Sequence, residues 1–206
     1  MMNKSWIALL LAAICAQVTS AATVMAHFMV ANSYAYNVAQ WKTDMTAAKQ
    51  IGIDGFALNW TPPDCTSPSL GWTVNRIDDA YTAAAQMGFK LMMSFDMSYT
   101  QCNTYWNQTF MSTMITKYAG SSATYRWNTN IVVSTYGGDA VPNQYGNAFF
   151  AGLKAGLKGT NSISLVPALT TYSTAAQDDP NGQASKLISD YSSIDGFLNC
   201  KIRSHS

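Results

Sequence analysis

A carboxylate ends a short and strongly apolar run of the sequence. Residues 90–95 include four large apolar side chains, and Asp96 follows them directly. A run this short and this apolar is typical of a strand that is buried on both faces. In a barrel of parallel strands the carboxyl ends open on the active-site face, so a carboxylate there could be catalytic or could orient a transition state. The alternative is that Asp96 caps the next segment or accepts a buried hydrogen bond.

Other polar side chains stand at predicted strand ends. Asp139 follows a strand and two glycines, which makes it the second candidate carboxylate, although a role in the turn is more typical of that position. His27, Tyr136 and two asparagines occupy comparable positions, and they too have ordinary alternatives. His27 suits a hydrogen-bonded core histidine, whereas Asn59 and Asn199 suit the bracing of loops.

The composition excludes some classes of partner. A length of 206 residues suits one domain or a part of a larger one. Only 11% of the residues are charged, and 12 Lys and Arg against 11 Asp and Glu give a formal charge of +1. There is no basic stripe and no acidic tail, so nucleic acids and anionic membranes are poor partners. Abundant aromatic and small polar residues suit neutral, hydroxyl-rich ligands instead.

The N-terminus has the pattern of a secretory signal. Lys4 provides a positive charge, and residues 6–16 form an apolar stretch that is too short to span a bilayer. Small residues follow, and we expect cleavage between Ser20 and Thr23, with residues 1–22 as the signal peptide. No later stretch is long enough for a transmembrane helix. The sequence therefore predicts a secreted protein, extracellular or in a cell wall.

Cysteines and sequons fit an oxidising compartment. Cys65 and Cys102 each follow a predicted strand, so they could be neighbours on one face and form a disulfide. Cys200 is left unpaired. Wide cysteine spacing and only two histidines argue against a metal site. Asn107 lies in a usable N-glycosylation sequon, whereas a second sequon at Asn59 falls at a strand end where it would be buried.

Strand-like and helix-like segments alternate along the chain, which predicts βα units and a parallel sheet. The predicted strands cover residues 24–30, 53–59, 90–96, 131–135, 163–168 and 194–199. The predicted helices cover residues 38–50, 77–87, 104–118, 145–157 and 183–191. Asn37 is positioned to cap the first helix, with Trp41, Met45, Ala48 and Ile51 along one face and Gly52 at its end.

A weak internal repeat supports this rhythm. Ile53-Asp54-Gly55-Phe56 recurs as Ile194-Asp195-Gly196-Phe197, each time at the start of a predicted strand. We interpret Asp54 and Asp195 as structural, because strand starts lie on the stability face of a barrel. A doubly wound sheet is the alternative, but Asn32-Ser33-Tyr34 stands where a nucleotide site would need a glycine-rich phosphate loop.

Several strand motifs taken together resemble one known family. They are Ala26-His27-Phe28-Met29-Val30, Gly52-Ile53-Asp54-Gly55-Phe56-Ala57-Leu58-Asn59, Gly88-Phe89-Lys90 through Ser94-Phe95-Asp96-Met97, and the later Ile194-Asp195-Gly196-Phe197-Leu198-Asn199. The pattern covers residues 24–199 and resembles the fungal α-1,3-glucanases (mutanases) of glycoside hydrolase family 71. The resemblance implies a (β/α)8 TIM-barrel fold, secretion, and hydrolysis of the polysaccharide α-1,3-glucan without a cofactor. We expect a monomer.

The implied chemistry assigns roles to the strand-end residues. Hydrolysis of a glycosidic bond ordinarily needs two carboxyl groups, one protonated and one ionised. The family is inverting, which implies a wide separation with a water molecule between the two groups. Asp96 is the best-placed acid. The side chains expected to bind substrate are His27, Asn59, Tyr136 and Asn199, through sugar hydroxyls, and Trp60, by stacking on a glucose ring or, alternatively, packing beneath the Pro62-Pro63 loop.

One departure from the family pattern bears on function. A (β/α)8 barrel needs about 250 residues, whereas about six βα units are predicted here before a polar, basic tail at residues 200–206. The family's late Trp-Asn-Asp-aromatic-Gly-Glu-Ser motif, with its Asp and Glu, does not occur in the sequence. We therefore expect a truncated barrel over residues 23–199 that lacks the partner carboxylates. The alternatives are an inactive fragment, a carbohydrate-binding remnant, or a chain too exposed at its sheet edges to fold stably.

Overall fold

The computed structural model describes residues 22–61, 71–98, 106–139, 145–175 and 180–198 of the chain. The strands in these ranges are β1 (Met25–Met29), β2 (Gly55–Trp60), β3 (Lys90–Asp96), β4 (Arg126–Trp127), β5 (Asn130–Tyr136) and β6 (Ile163–Leu165). The α-helices are α1 (Val38–Gln50), α2 (Gly71–Met87), α3 (Gln108–Tyr118), α4 (Asn147–Gly156), α5 (Thr170–Ala175) and α6 (Pro180–Asp190). Short 3-10 helices cover Val30–Ser33 and Gly159–Asn161.

Parallel strands form the sheet in chain order, β1-β2-β3-β5-β6. Helices connect them, because parallel neighbours need a crossover rather than a tight turn. The short β4 is the exception, since it pairs antiparallel with the start of β5 through a hairpin in which Asn128 has a φ of 53°. The predicted α/β class and the parallel order of the first five predicted strands are therefore confirmed.

The core has two parts because alternate residues of a strand point to opposite faces. One face of the sheet packs with the helices in a large cluster that includes Leu58, Met93 and Trp41. The other face has a small cluster of its own, formed by Ala57, Met92 and Val132 with Met25, Tyr125 and Val166 packed against it. A sheet that curves toward a barrel buries its inner face in this way and carries its helices outside, which is the (β/α)8 type of arrangement. We call the inner side the concave face.

The first helix follows the signals in the sequence. Asn37 Oδ1 accepts a hydrogen bond from the Gln40 N–H at 3.4 Å, and Gln40 Oε1 accepts one from the Asn37 N–H at 3.1 Å, which completes a capping box. Trp41 is fully buried, as predicted. Ile51 is 77% exposed rather than buried, because α1 ends at Gln50 and Ile51 is its C-cap residue.

Some elements differ from the prediction. β4 and α5 are absent from it, because two residues and six residues are too short to show a periodic pattern. The predicted strand 194–199 is wrong over its described residues, which form no regular strand. The N–H groups of Asp195 and Leu198 donate to the carbonyls of Leu165 and Pro167 at 2.9 and 3.0 Å. The two donors are three residues apart whereas the two acceptors are two residues apart, so the regular hydrogen bonding of paired strands is interrupted.

The internal repeat makes the same contact twice. The Asp54 N–H donates to the Val24 carbonyl at 2.9 Å, and Asp54 Oδ2 accepts from the Val24 N–H at 2.8 Å. Asp195 makes the same pair of bonds with Leu165, at 2.9 and 2.8 Å, and Asp195 Oδ2 also lies 2.7 Å from Lys154 Nζ. Each carboxylate ties its segment to the preceding strand, so the structural interpretation of both aspartates is confirmed.

Candidate functional site

The carboxyl ends of the strands bring polar side chains together on the concave face. The register pairs Asn59 of β2 with Ser94 of β3, and Ser94 with Ser134 of β5. Two residues further along, Asp96 is paired with Tyr136. Side chains two residues apart on a strand share a face, so these groups continue the line that begins with Met92 and Val132 of the inner cluster. This is the end of the sheet at which barrel enzymes place their chemistry.

His27 joins this group from β1. Its ring centroid lies 6.0 Å from that of Tyr136, at an interplanar angle of 44°. Burial lowers the pKa of His27 below its ordinary value, and the negative charge of Asp96 opposes that shift. A lowered pKa keeps the imidazole neutral at pH 7, so that one nitrogen donates and the other accepts. The residue remains exposed to solvent and is accessible to a ligand.

Asp96 is held through both its side chain and its backbone. Its Oδ1 accepts hydrogen bonds from the Ser98 N–H at 3.0 Å and from the Ser98 hydroxyl at 2.7 Å. The Asp96 carbonyl accepts from the indole N–H of Trp106 at 2.9 Å. Among the described residues Oδ2 accepts no hydrogen bond. One oxygen of Asp96 thus makes the local hydrogen bonds expected of a residue that caps the next segment. The other oxygen is available to a ligand.

Asn59 presents a buried amide at the same level. The residue is 4% exposed, and within the described ranges its Nδ2 has no hydrogen-bond partner. A buried donor without a partner costs free energy unless a ligand or water satisfies it. This is consistent with a substrate contact. The burial also confirms that the sequon at Asn59 is inaccessible.

Trp60 is in the core, and the prediction that it stacks on a sugar ring is wrong in this structure. It is 2% exposed, and its ring centroid lies 5.0 Å from Trp106 and 5.9 Å from both Phe95 and Phe110. The reason is the alternation of β2: if Asn59 faces the concave side, its neighbour Trp60 must face the helices. Trp60 therefore supports the strand end from behind.

Asp139 serves the turn after β5, in keeping with the more typical role. Its Oδ1 accepts from the Thr170 N–H at 2.9 Å and the Thr170 hydroxyl at 3.1 Å, and its Oδ2 accepts from the Thr171 N–H at 2.6 Å. Both oxygens are therefore used at the N-terminus of α5. The two preceding glycines have positive φ values of 63° and 94°, which the turn requires.

Some predicted residues lie outside the described ranges, namely Asn199, Cys65, Cys102 and Cys200. Asn107 is described: its Oδ1 accepts from the Phe110 N–H at 2.8 Å and caps α3. In the part of the chain that the structure describes, no three His, Cys, Asp or Glu side chains are grouped as metal ligands would be.

The opposite end of the sheet has a different chemistry. A cavity of about 600 Å³ there is lined by three cations, Lys49, Lys90 and Arg126. Lys49 donates to the Met87 carbonyl at the end of α2 at 2.9 Å, Arg126 donates to the carbonyl of Ala119, the C-cap of α3, at 2.8 Å, and Lys90 donates to the Ser122 carbonyl in the loop that follows at 2.8 Å. Cations at helix C-termini satisfy free carbonyls and the negative end of the helix dipole. These cations at the strand starts therefore make stabilising contacts with backbone carbonyls.

Comparison with known proteins gives the family. Residues 20–201 match the model of glycosyl hydrolase family 71. The chain belongs to glycosyl hydrolase family 71. The resemblance seen in the strand motifs is confirmed, and the concave face described above is that of a family 71 chain.

Relatives and solved structures show how far the likeness extends. Over 118 residues this family 71 chain is 38% identical to a glucan endo-1,3-alpha-glucosidase (agn1) of Schizosaccharomyces pombe and, over the same length, 40% identical to a mutanase (Pc12g07500) of Penicillium rubens. The matches cover 56% and 57% of this chain but only 25% and 24% of the two relatives. The matched part is thus about a quarter of their length.

The fold is also similar to that of a GH99 endo-alpha-mannosidase from Bacteroides thetaiotaomicron, solved in complex with bis-tris propane. The TM-score is 0.53, with 12% identity, over 80% of this chain and 46% of that chain. This likeness shows the fold alone.

Sequence reasoning missed two groups of this site, Ser94 and Ser98. Ser94 could have been found from register, because it lies two residues before Asp96 and so shares its face. Ser98 had no comparable signal, since its role depends on how the chain turns after β3.

Proposed function

We propose that this protein belongs to a glycoside hydrolase that acts on α-1,3-glucan, with Asp96 as a catalytic or transition-state-orienting carboxylate. The observation that carries the proposal is the position of Asp96 at the carboxyl end of β3, paired with Tyr136, whose ring lies 6.0 Å from that of His27. The family assignment and the names of the two fungal relatives support the substrate class.

The neighbouring side chains suit a neutral sugar. His27 in its neutral form has one donor and one acceptor, and the buried Asn59 Nδ2 offers a donor without a partner among the described residues. Tyr136 offers a phenol beside Asp96. We assign these three residues, and Asn199 beyond the described range, to contacts with sugar hydroxyls.

A second candidate function is binding of the glucan without hydrolysis. Asp139 is the other carboxylate that follows a described strand and its turn, and both of its oxygens are bonded to α5. Asp96 is then one member of a pair whose partner the described residues do not provide. Since a general acid or base contributes roughly 10²–10⁴-fold to the rate, one carboxylate alone would give little turnover.

The experiment that tests both functions uses the purified 206-residue chain on insoluble α-1,3-glucan. Retention on the pellet is compared with retention on β-1,3-glucan, and reducing sugar is measured in the supernatant, beside the Asp96→Asn variant. We expect selective retention with little or no release of sugar. Equal retention on the two glucans would contradict the substrate class. Release at an enzymatic rate that Asp96→Asn abolishes would reject binding alone and show that this chain supplies every carboxyl group that hydrolysis needs.

We also propose that the protein is secreted to the cell wall or medium, as the charge at Lys4 and the apolar residues 6–16 indicate. Within the described ranges no helix has the length and apolar character needed to cross a membrane. Cys65 and Cys102 follow β2 and β3, which are adjacent parallel strands, and this supports a disulfide between them. Asn107 caps α3 through Oδ1, which leaves Nδ2 for a glycan. Peptide mapping of the secreted protein without reduction tests both modifications.

A further inference from the structure

Two donors of one residue meet a single oxygen of Asp96. The Ser98 N–H and the Ser98 hydroxyl lie 3.0 and 2.7 Å from Oδ1. An N–H bond of this kind is common where Asp turns the chain, since Asx turns form locally. The hydroxyl bond is additional. Hydrogen bonds to an ionised oxygen are shorter and stronger than neutral ones, so the pair fixes the carboxylate about its own side-chain torsions.

Ser98 is itself held in place by the next strand along the sheet. Gly137, directly after β5, approaches so closely that an added Cβ would lie 2.8 Å from Ser98 Cβ. The Met97 N–H donates to the Tyr136 carbonyl at 2.8 Å, which ties the same turn to β5. The position of Ser98 is therefore set by two strands and not by the turn alone.

The backbone of Asp96 is fixed from the helix side. Trp106 donates its indole N–H to the Asp96 carbonyl at 2.9 Å, and the Trp106 backbone N–H donates to the Tyr145 hydroxyl at 2.8 Å. The indole packs among Trp60, Phe95 and Phe110. Because the backbone of Asp96 is fixed, only rotation about its side-chain bonds could move the carboxylate. The two hydrogen bonds from Ser98 restrict that rotation.

We propose that Ser98 is the positioning residue of Asp96. It occupies Oδ1 and thereby leaves Oδ2 as the oxygen that engages the substrate. The inference rests on the proposed function of Asp96, which it deepens by naming the reactive oxygen and the residue that selects it. Ser98 does not need to touch the sugar; it acts through the carboxylate.

The test measures the χ1 torsion of Asp96, which places its carboxylate, in the full chain without substrate. Three-bond couplings from Asp96 Cγ to its backbone nitrogen and carbonyl carbon report the side-chain rotamer by NMR. We expect one rotamer in the wild type and in Ser98→Thr, which keeps the hydroxyl, and averaged couplings in Ser98→Ala. Ser122→Ala, an exposed serine at the opposite end of the sheet, is the matched control and should leave the couplings unchanged.

Two results would overturn the proposal: averaged couplings in the wild type, or a single rotamer retained in Ser98→Ala. Because Ser98 is exposed and its alanine variant removes only one oxygen, Ser98→Ala decides the matter even where the added methyl of the threonine variant disturbs folding.

A second measurement separates this inference from the proposed function. Titration with a soluble α-1,3-linked gluco-oligosaccharide should show binding about three- to tenfold weaker in Ser98→Ala. In an Asp96→Ala background, which has no side-chain oxygen for Ser98 to hold, Ser98→Ala should cause no further loss, because the serine acts through Asp96. A further loss there would refute the positioning role. If the wild type binds no oligosaccharide, the proposed function fails and the couplings still decide the role of Ser98.

Discussion

The rings of His27 and Tyr136 lie 6.0 Å apart, although β2 and β3 stand between their strands. Neighbouring strands are about 4.8 Å apart, so three steps across a flat sheet would separate the two backbones by roughly 14 Å. The rings meet because the sheet is curved and both side chains lie on its concave face. Residues of the first and the fourth parallel strands therefore share one site with Asp96.

The pKa of His27 should reflect its position on the concave face beside Asp96. Its pKa is lowered by burial and raised by Asp96, so we expect a titration midpoint below 6.5 in the wild type. Asp96→Asn removes the opposing charge and should move the midpoint further down. The imidazole Cε1–H resonance measured against pH checks this, and His205, the other histidine of the chain, provides an internal reference. An upward shift in Asp96→Asn would show that the two groups do not interact as described.

The same shift has a consequence for stability against pH. The folded pKa of His27 is lower than the unfolded one, so the unfolded chain binds the proton more tightly. The free energy of unfolding should therefore be unaffected by His27 above about pH 6.5 and should fall as the pH is lowered through the folded pKa. In His27→Gln this part of the acid destabilisation should be absent. Urea unfolding of both proteins at several pH values tests the difference.

Two glycines with the same backbone conformation should differ in their tolerance of alanine. Gly137 and Gly159 have φ values of 63° and 62°, so both alanine variants carry a similar conformational cost, on the order of 1 kcal/mol. Only at Gly137 would the new Cβ meet another residue, at 2.8 Å from Ser98 Cβ. We expect Gly137→Ala to lose about 1–3 kcal/mol more than Gly159→Ala in urea unfolding. Equal losses would mean that the turns after β3 and β5 are not in close contact.

Replacing Trp60 should affect stability through the core. Trp60→Phe leaves a cavity among buried aromatic rings, and we expect a loss on the order of 1–3 kcal/mol in the free energy of unfolding. Trp127→Phe is the matched control, since Trp127 is 61% exposed and should change stability by less than about 0.5 kcal/mol. If Trp60→Phe were as stable as the wild type but bound glucan more weakly, Trp60 would contact the sugar after all, contrary to what its burial indicates.

Asp139 should behave as a helix cap. Asp139→Ala removes acceptors for the first N–H groups of α5, and we expect a loss of about 0.5–2 kcal/mol. Asp139→Ser, which can still cap, should recover part of it. Retention on α-1,3-glucan should be unchanged in both variants. Loss of retention at unchanged stability would place Asp139 among the ligand contacts.

Local pattern predicted much of the fold. The predicted strand 90–96 has the same bounds as β3, and Asn37 caps α1 as expected, because both depend on short-range features of the sequence. Asp96 could be placed at a strand end for the same reason. The prediction for Trp60 is wrong because adjacent residues of a strand point to opposite faces, so Asn59 and Trp60 cannot both contact a ligand on the concave face.

The features of the site that could not be predicted from the sequence depend on contacts between distant segments of the chain. The bonds of Asp139 join the turn after β5 to the helix after β6. Ser98 lies against Gly137, which directly follows another strand, β5. Neither pairing follows from spacing or periodicity, because each is fixed by how separate βα units pack together.

We propose that the concave face at the carboxyl ends of the strands binds α-1,3-glucan around Asp96. The most direct measurement is an NMR titration of the labelled chain with a soluble α-1,3-linked gluco-oligosaccharide. We expect saturable shifts at His27, Asn59, Asp96 and Tyr136, and saturation only at a higher oligosaccharide concentration in Asp96→Asn. Shifts confined to the opposite end of the sheet, around Lys49, Lys90 and Arg126, or no shifts at all, would contradict it.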